Sequence, residues 1–158
     1  MAEYLKFGIS VSFISWLVGL IGNGLLMKLK FYDKLSNFNF IESAAANRWL
    51  GIKYFQWIVK NTPFKFFNQK IKLKNGKADL VEIRREMTIA EIGHLVGFVF
   101  VVPFAIYKSI VYGPVFGLTM MAVNVLMNLY PSLLQQENKR RIDRLIKVQE
   151  HYKADSRP

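Results

Sequence analysis

Three ionisable residues that could handle protons stand directly before an apolar segment. The stretch E-M-T-I-A-E-I-G-H contains Glu86, Glu91 and His94 and is followed by L-V-G-F-V-F-V-V-P-F-A-I. In a helix, Glu91 and His94 are three residues apart and share a face, and the row from Glu86 through Ala90 also leads to His94. A carboxylate beside an imidazole orients the ring, fixes its tautomer and raises its basicity. These three residues are therefore candidate catalytic residues.

Such a pair could deprotonate a hydroxyl group for acyl transfer, with His94 as the general base. The competing interpretation is that the charges only end a helix at the membrane surface, with His94 hydrogen-bonded to a neighbouring carbonyl. An ionisable pair at the edge of hydrocarbon is costly, which favours a functional role.

A second set of polar residues follows the last apolar segment, in N-L-Y-P-S-L-L-Q-Q-E-N-K-R-R. Amide and basic groups at that point are suited to gripping the phosphates of a nucleotide-bearing acyl donor. A run of stop-transfer charges is the alternative. The candidate binding residues are Asn128, Gln135, Asn138, Lys139 and Arg141.

Three apolar segments predict an all-α integral membrane protein with about three transmembrane helices and cytoplasmic-face amphipathic interfacial helices. They cover residues 7–27, 92–107 and 109–134, and the first contains no charged residue over 21 positions. A helix needs about 20 residues to cross hydrocarbon. A signal peptide is the alternative for 7–27, but Lys28 and Lys30 stand where a cleavage site would be. A re-entrant hairpin is the alternative for 92–134, with its turn marked by Lys108, Gly113 and Pro114.

Basic residues are concentrated in two blocks, which predicts an orientation. Thirteen Lys or Arg lie between Met27 and Ile92 and seven follow Leu134. The positive-inside rule places both blocks in the cytoplasm and the N-terminus outside. We therefore predict a single membrane domain over 1–158, with a basic interfacial region at 28–91 and a basic cytoplasmic tail at 135–158.

The net charge of +11 allows nucleic acid, a membrane surface or a phosphate-bearing ligand as partner. Trp49, Ile52, Phe55 (or Gln56) and Val59 recur at helical spacing among lysines, which favours a membrane-surface helix over a nucleic-acid site. Asn75-Gly76 predicts a turn. Lysine and apolar residues alternate over Lys70–Lys74, which predicts a short strand or an extended loop.

The chain has no cysteine, which excludes disulfides, thiolate metal sites and a cysteine nucleophile. Two histidines without cysteine argue against a zinc site.

Taken together, these motifs resemble the glycosyl-diaponeurosporenoate acyltransferase family, small membrane enzymes that esterify a sugar on a carotenoid. The resemblance covers roughly residues 37–146. It rests on N-F-N-F from Asn37, on an aromatic, Lys-rich stretch around 57–66, on E…A-E-x-x-H ending at His94, and on N-x-Y-P…Q-x-x-N-x-x-R from Asn128 to Arg141. The chain departs from the family pattern at Ile89, usually arginine, and over 135–139, usually Gln-Arg-Tyr-Asn-Arg.

The resemblance implies acyl transfer in the bacterial cytoplasmic (inner) membrane, from acyl-CoA or acyl carrier protein as co-substrate, with no bound cofactor and no metal. The acceptor would be a lipid or glycolipid hydroxyl at the cytoplasmic face. In this reading His94 is the general base and Glu91 orients it, while Asn138, Lys139 and Arg141 bind the donor phosphates or stabilise the oxyanion. A homo-oligomer or a membrane complex is a possible partner state.

The alternative from another class is a non-catalytic subunit of a larger membrane complex. Its glycines would then be helix-contact positions, namely Gly8, Gly19, Gly22, Gly24, Gly113 and Gly117.

Overall fold

The computed structural model describes residues 1–37, 44–62, 73–74 and 77–155, and these are almost entirely helical. The chain divides into two compact units, an apolar unit of Met1–Phe38 with Ala90–Leu133 and a basic unit of Asn39–Ile89 with Leu134–Pro158. The helices are α1 (Ala2–Leu26), α2 (Tyr32–Leu35), α3 (Ala44–Trp49), α4 (Ile52–Asn61), α5 (Leu80–Tyr112), α6 (Pro114–Asn124) and α7 (Tyr130–Asp155).

Three helical segments are long and apolar enough to cross a membrane, which confirms the predicted all-α fold with three such helices. They are α1 with 25 residues, α5 with 33 residues, and the continuous run Pro114–Tyr152 with 39 residues. At about 1.5 Å per residue, α5 is roughly 50 Å long and exceeds a hydrocarbon core of about 30 Å. These helices indicate a membrane protein.

Helix α5 is about twice as long as the predicted segment 92–107, because each end has a defined signal. At its start, the Asp79 carboxylate accepts the backbone N–H groups of Val81 and Glu82, both at 3.1 Å. At its end, Gly113 adopts a left-handed φ of 97°, and Pro114 then opens α6 at a position where a missing N–H costs nothing. The turn thus lies at Gly113, and Lys108 is still helical.

The core of the apolar unit forms where α1, α5 and α6 pack together, around Val11, Val101, Ala105, Phe116 and Met120. Glycines allow this close approach. A Cβ added to Gly19 would lie 2.2 Å from the Gly93 carbonyl oxygen, and Gly8, Gly22 and Gly117 also face neighbouring helices. These four predicted helix-contact positions therefore pack within the chain itself. Gly24 and Gly113 have nothing within 4 Å of an added Cβ.

One end of the apolar unit carries a lysine among aromatic rings. The Lys108 ammonium nitrogen lies 4.6 Å from the centre of the Phe7 ring, 4.3 Å from that of Tyr112 and 5.3 Å from that of Phe116. Tyr4 stacks on Phe116 with ring centres 4.1 Å apart. Cation–π contacts and aromatic rings of this kind suit the border between hydrocarbon and water.

In the basic unit, the predicted row from Trp49 through Ile52 to Val59 is wrong as one continuous helix. The chain breaks between α3 and α4, where Gly51 has a left-handed φ of 69°. Trp49 is 86% exposed and Ile52 only 2%, so the two residues do not share a face. Within α4, the buried side runs from Ile52 through half-buried Phe55 and Val59.

The outer side of α4 carries Tyr54, Trp57 and Ile58, all exposed. The membrane-surface placement of this helix stays a prediction.

Strand structure among the described residues is limited to Leu73–Lys74 paired antiparallel with Lys77–Ala78. The predicted strand at Lys70–Lys74 is therefore confirmed only for its last two residues. Residues 70–72, the predicted Asn75-Gly76 turn, most of the N-F-N-F motif and residues 63–66 of the aromatic stretch lie outside the described residues. An ion pair between Arg84 of α5 and Asp143 of α7 ties the basic unit together.

Candidate active site

The α5 helix carries the predicted Glu91 and His94 three residues apart, both in the apolar unit. Glu91 is completely buried, and His94 is half-buried. The indole of Trp16 in α1 meets the imidazole edge to face, with ring centres 6.3 Å apart. The Trp16 Nε1 atom donates to the Met127 carbonyl at 3.2 Å, so the aromatic wall beside His94 is fixed in place.

Glu86, the third predicted catalytic residue, lies in the basic unit. It is half-buried on α5, more than one helical turn before Glu91. The structure thus groups Glu91 and His94 in one unit and leaves Glu86 in the other.

Asn128 lies beside His94 and is held by a polar network among apolar helices. Its Nδ2 atom donates to Ser15 Oγ at 2.9 Å and to Asn124 Oδ1 at 2.8 Å. The Asn124 Nδ2 atom in turn donates to the Phe98 carbonyl at 3.0 Å, and Ser15 Oγ donates to the Ser12 carbonyl at 2.6 Å. Both amide protons of Asn128 are therefore used, and this fixes the direction of its side-chain oxygen.

The backbone that carries Asn128 is a π-helical turn over Val125–Leu129, between α6 and α7. π-Helical turns are rare in proteins, and those that occur are often at functional sites. The turn changes the helical phase between Asn124 and the residues that follow. Sequence analysis identified Asn128 but missed Ser15, Asn124 and Trp16. The available signal was the four-residue spacing of Asn124 and Asn128 inside an apolar segment.

Two buried polar atoms of this cluster have no hydrogen-bond partner among the described residues. They are the Nδ1 atom of His94 and the Oδ1 atom of Asn128. Ser12 Oγ, in the same unit, is a third. Buried polar groups in proteins are nearly always hydrogen-bonded, so each such atom calls for an explanation. One explanation is a polar ligand that enters this cluster.

We expect Asn128→Leu to destabilise the protein by about 1–2 kcal/mol, because the hydrogen bonds to Ser15 and Asn124 are lost between membrane helices. Thermal unfolding in detergent would measure the change. Thr119→Val is the matched control, because the Thr119 hydroxyl donates only to the Val115 carbonyl of its own helix, at 2.7 Å. Equal unfolding midpoints for the two variants would contradict the role of the network.

The predicted donor-binding residues lie on the C-terminal helix in different environments. Lys139 is 3% exposed, so its ammonium group is inside the protein. Gln135 and Asn138 are half-buried, and Arg141 is exposed. Gln136, which the sequence analysis did not select, is 1% exposed. Among these residues, Arg141 is the basic one that faces solvent.

The basic unit contains a cleft of about 260 Å³ between α3, α4 and α7. We call it the basic cleft. Sequence analysis selected Arg141 but placed the cations of α3 and α4 at a membrane surface, and they come together with Arg141 only through folding. The lining residues are Asn47, Arg48, Ile52, Lys53, Gln56, Glu137, Arg141 and Arg144.

Comparison with known proteins identifies a family match. The family model for glycosyl-4,4'-diaponeurosporenoate acyltransferase matches residues 28–148, which cover α2 to most of α7 and include every site residue predicted from the sequence. Comparisons with curated proteins and with solved structures found no match.

Proposed function

Because the chain belongs to the glycosyl-4,4'-diaponeurosporenoate acyltransferase family, we propose that it moves an acyl chain from a thioester donor to a lipid or glycolipid hydroxyl. The family name describes an acyltransferase that acts on a glycosylated carotenoid. We assign the reaction to the cytoplasmic face of the bacterial inner membrane. The donor is acyl-CoA or acyl carrier protein, and no bound cofactor is required.

The observation that carries this proposal is the pair of buried polar atoms, His94 Nδ1 and Asn128 Oδ1, on neighbouring side chains. A neutral imidazole has one nitrogen that donates a hydrogen bond and one that accepts. The amide oxygen beside it accepts. A hydroxyl group both donates and accepts, so these two side chains offer it suitable partners. This supports a hydroxyl-bearing lipid or glycolipid as the acceptor.

In the proposed mechanism, the His94 imidazole removes the proton of the reacting hydroxyl as its oxygen attacks the thioester carbonyl carbon. The tetrahedral intermediate then collapses, the carbon–sulfur bond breaks, and the imidazolium returns the proton to the leaving thiolate. We assign to Glu91, three residues before His94 on α5, the role of stabilising the imidazolium through its negative charge. Transfer is direct, without an acyl-enzyme.

The remaining predicted residues are assigned to the donor. Asn138 and Arg141 contact it, and Gln135 and Lys139 support the helix surface that carries them. The burial of Lys139 favours this structural role over direct phosphate binding. The two basic blocks support the orientation with the N-terminus outside and the C-terminus in the cytoplasm.

The full chain in lipid nanodiscs, supplied with acyl-CoA or acyl carrier protein and a glycosylated carotenoid acceptor, is expected to form an ester that mass spectrometry detects. Lipid extracts from cells with and without the gene would identify the natural product. A folded protein that forms no ester with either donor would contradict the proposal and support a non-catalytic membrane subunit instead.

A further inference from the structure

The basic cleft holds cations whose charge the described residues do not neutralise. Four cationic side chains and one acidic side chain line it. In the part of the chain that the structure describes, the ion pairs do not involve Arg48, Lys53 or Arg144. The cleft is therefore electropositive, and an anion is the ligand that fits its charge.

Glu137, the acidic residue in the cleft, is already engaged by three donors. Its Oε2 atom accepts from Asn47 Nδ2 at 2.7 Å and from Arg140 Nη2 at 2.8 Å, and its Oε1 atom accepts from Arg141 Nε at 3.3 Å. The carboxylate thus connects α3 to α7 and holds the wall of the cleft in place. It does not lie free to neutralise Arg48, Lys53 or Arg144.

The size and chemistry of the cleft indicate which anion it would take. Its volume of about 260 Å³ is below the roughly 300–1,000 Å³ of sites that enclose a drug-sized ligand. It therefore suits a small charged group, with the rest of the ligand outside. Guanidinium groups present planar pairs of donors that match phosphate oxygens. Three of the four cations are arginines.

We propose that the basic cleft is a phosphate-binding site that holds the phosphate-bearing part of the acyl donor, through Arg48, Lys53 and Arg144 in addition to Arg141. The assignment to the donor rests on the proposed function. A phospholipid headgroup presents the same chemistry and is the other source that the experiment must distinguish.

The test measures binding of coenzyme A and of pyrophosphate to the full chain in zwitterionic nanodiscs, by isothermal titration calorimetry at two salt concentrations. We expect both probes to bind and to weaken as salt rises. The double variant Arg48→Gln with Arg144→Gln should weaken binding at least roughly tenfold, since each arginine makes charge-assisted hydrogen bonds.

The matched control is Lys60→Gln with Lys147→Gln, which removes the same charge from exposed positions of α4 and α7 outside the cleft lining. The control should keep its affinity within about twofold if the contacts are local. If both double variants weaken probe binding equally, the loss comes from the change in net charge, and the proposed site is overturned. Unchanged binding in the cleft variant would overturn it as well.

Two further comparisons separate the possible failures. The first comparison places the chain in nanodiscs of anionic lipid. If the cleft binds only these lipid headgroups, and neither coenzyme A nor pyrophosphate binds, the assignment to the acyl donor is overturned. The binding experiment needs no turnover. If the probes bind through the cleft but the protein transfers no acyl group, the result counts against the proposed function and still supports the phosphate site. Acyl transfer that the cleft variant leaves unchanged would count against the site alone.

Discussion

Replacing His94 by alanine is expected to reduce the rate of acyl transfer by about 10²–10⁴-fold, the usual contribution of a general base. The physical reason is that a hydroxyl group is a weak nucleophile while it keeps its proton. The Nδ1 atom of His94 is buried and without a hydrogen-bond partner among the described residues. In the proposed mechanism the imidazole of His94 takes that proton. Initial rates with acyl-CoA and a glycolipid acceptor in nanodiscs would measure the loss.

The chain offers a matched control in its other histidine. His151 lies on the exposed end of α7 and pairs with Asp155 at 3.4 Å. His151→Ala should leave the rate within about twofold, as expected for an exposed residue away from the site. His94→Gln should be as inactive as His94→Ala while it keeps the polar volume. Activity that survives in both His94 variants would show that another group takes the proton.

Loss of folding must be separated from loss of catalysis. The His94 variants should keep the thermal unfolding midpoint of the original chain in detergent to within a few degrees, because His94 is only half-buried. A large drop in the midpoint together with the lost activity would favour the alternative role of His94 as a structural contact between helices.

Much of the fold was predictable from composition, because long uncharged segments leave few structural choices in a membrane. The ends of the helices were harder to place from hydropathy alone. Helix α5 extends back to Leu80 because Asp79 caps it, and forward to Tyr112 because Gly113 is the first residue that leaves helical geometry. A hydropathy pattern finds the apolar middle of such a helix. Its polar ends depend on single capping residues.

The break at Gly51 shows how periodicity can mislead. Trp49 and Ile52 are three residues apart, which is a helical spacing, and the prediction joined them into one face. Gly51 takes a left-handed conformation between them, and the two side chains face different surroundings. A glycine inside a short amphipathic pattern was the signal that the helix ended there.

In the candidate site, too, some features could be predicted from the sequence and others could not. The neighbours Glu91 and His94 were predictable because they lie on one helix at a fixed spacing. The contact between Asn128 and Ser15 joins residues 113 positions apart. It depends on how α1 packs against the π-helical turn, and no local pattern contains that information. The opposite environments of Lys139 and Arg141 likewise depend on which side of α7 packs against the rest of the basic unit.

The second large effect is expected at Gly19, where the packing of α1 on α5 is closest. A Cβ there would lie 2.2 Å from the Gly93 carbonyl oxygen and 3.0 Å from its carbonyl carbon. The obstacle is backbone, which no rotamer change can move. We expect Gly19→Ala to destabilise the protein by about 1–3 kcal/mol, as overpacking does elsewhere.

Gly24→Ala is the matched control for this substitution. It lies on the same helix, and an added Cβ would have nothing within 4 Å. Alanine is a better helix former than glycine by up to about 1 kcal/mol, so this variant should be unchanged or slightly more stable. Thermal unfolding of both variants in the same detergent would measure the difference. Equal midpoints would show that α1 and α5 are further apart than the structure places them.

Gly19→Ala should also reduce acyl transfer. Gly97, one turn after Gly93 on α5, would place an added Cβ 2.9 Å from Asn128 Oδ1 and 2.9 Å from the Ser15 carbonyl oxygen. The same contact between α1 and α5 therefore sets the spacing of Ser15, Asn128 and α5 at the candidate site. If α1 moves away from α5 at Gly19, Asn128 loses its fixed position beside His94. A Gly19→Ala variant that unfolds earlier but keeps its full rate at low temperature would separate the helix packing from the site and contradict this coupling.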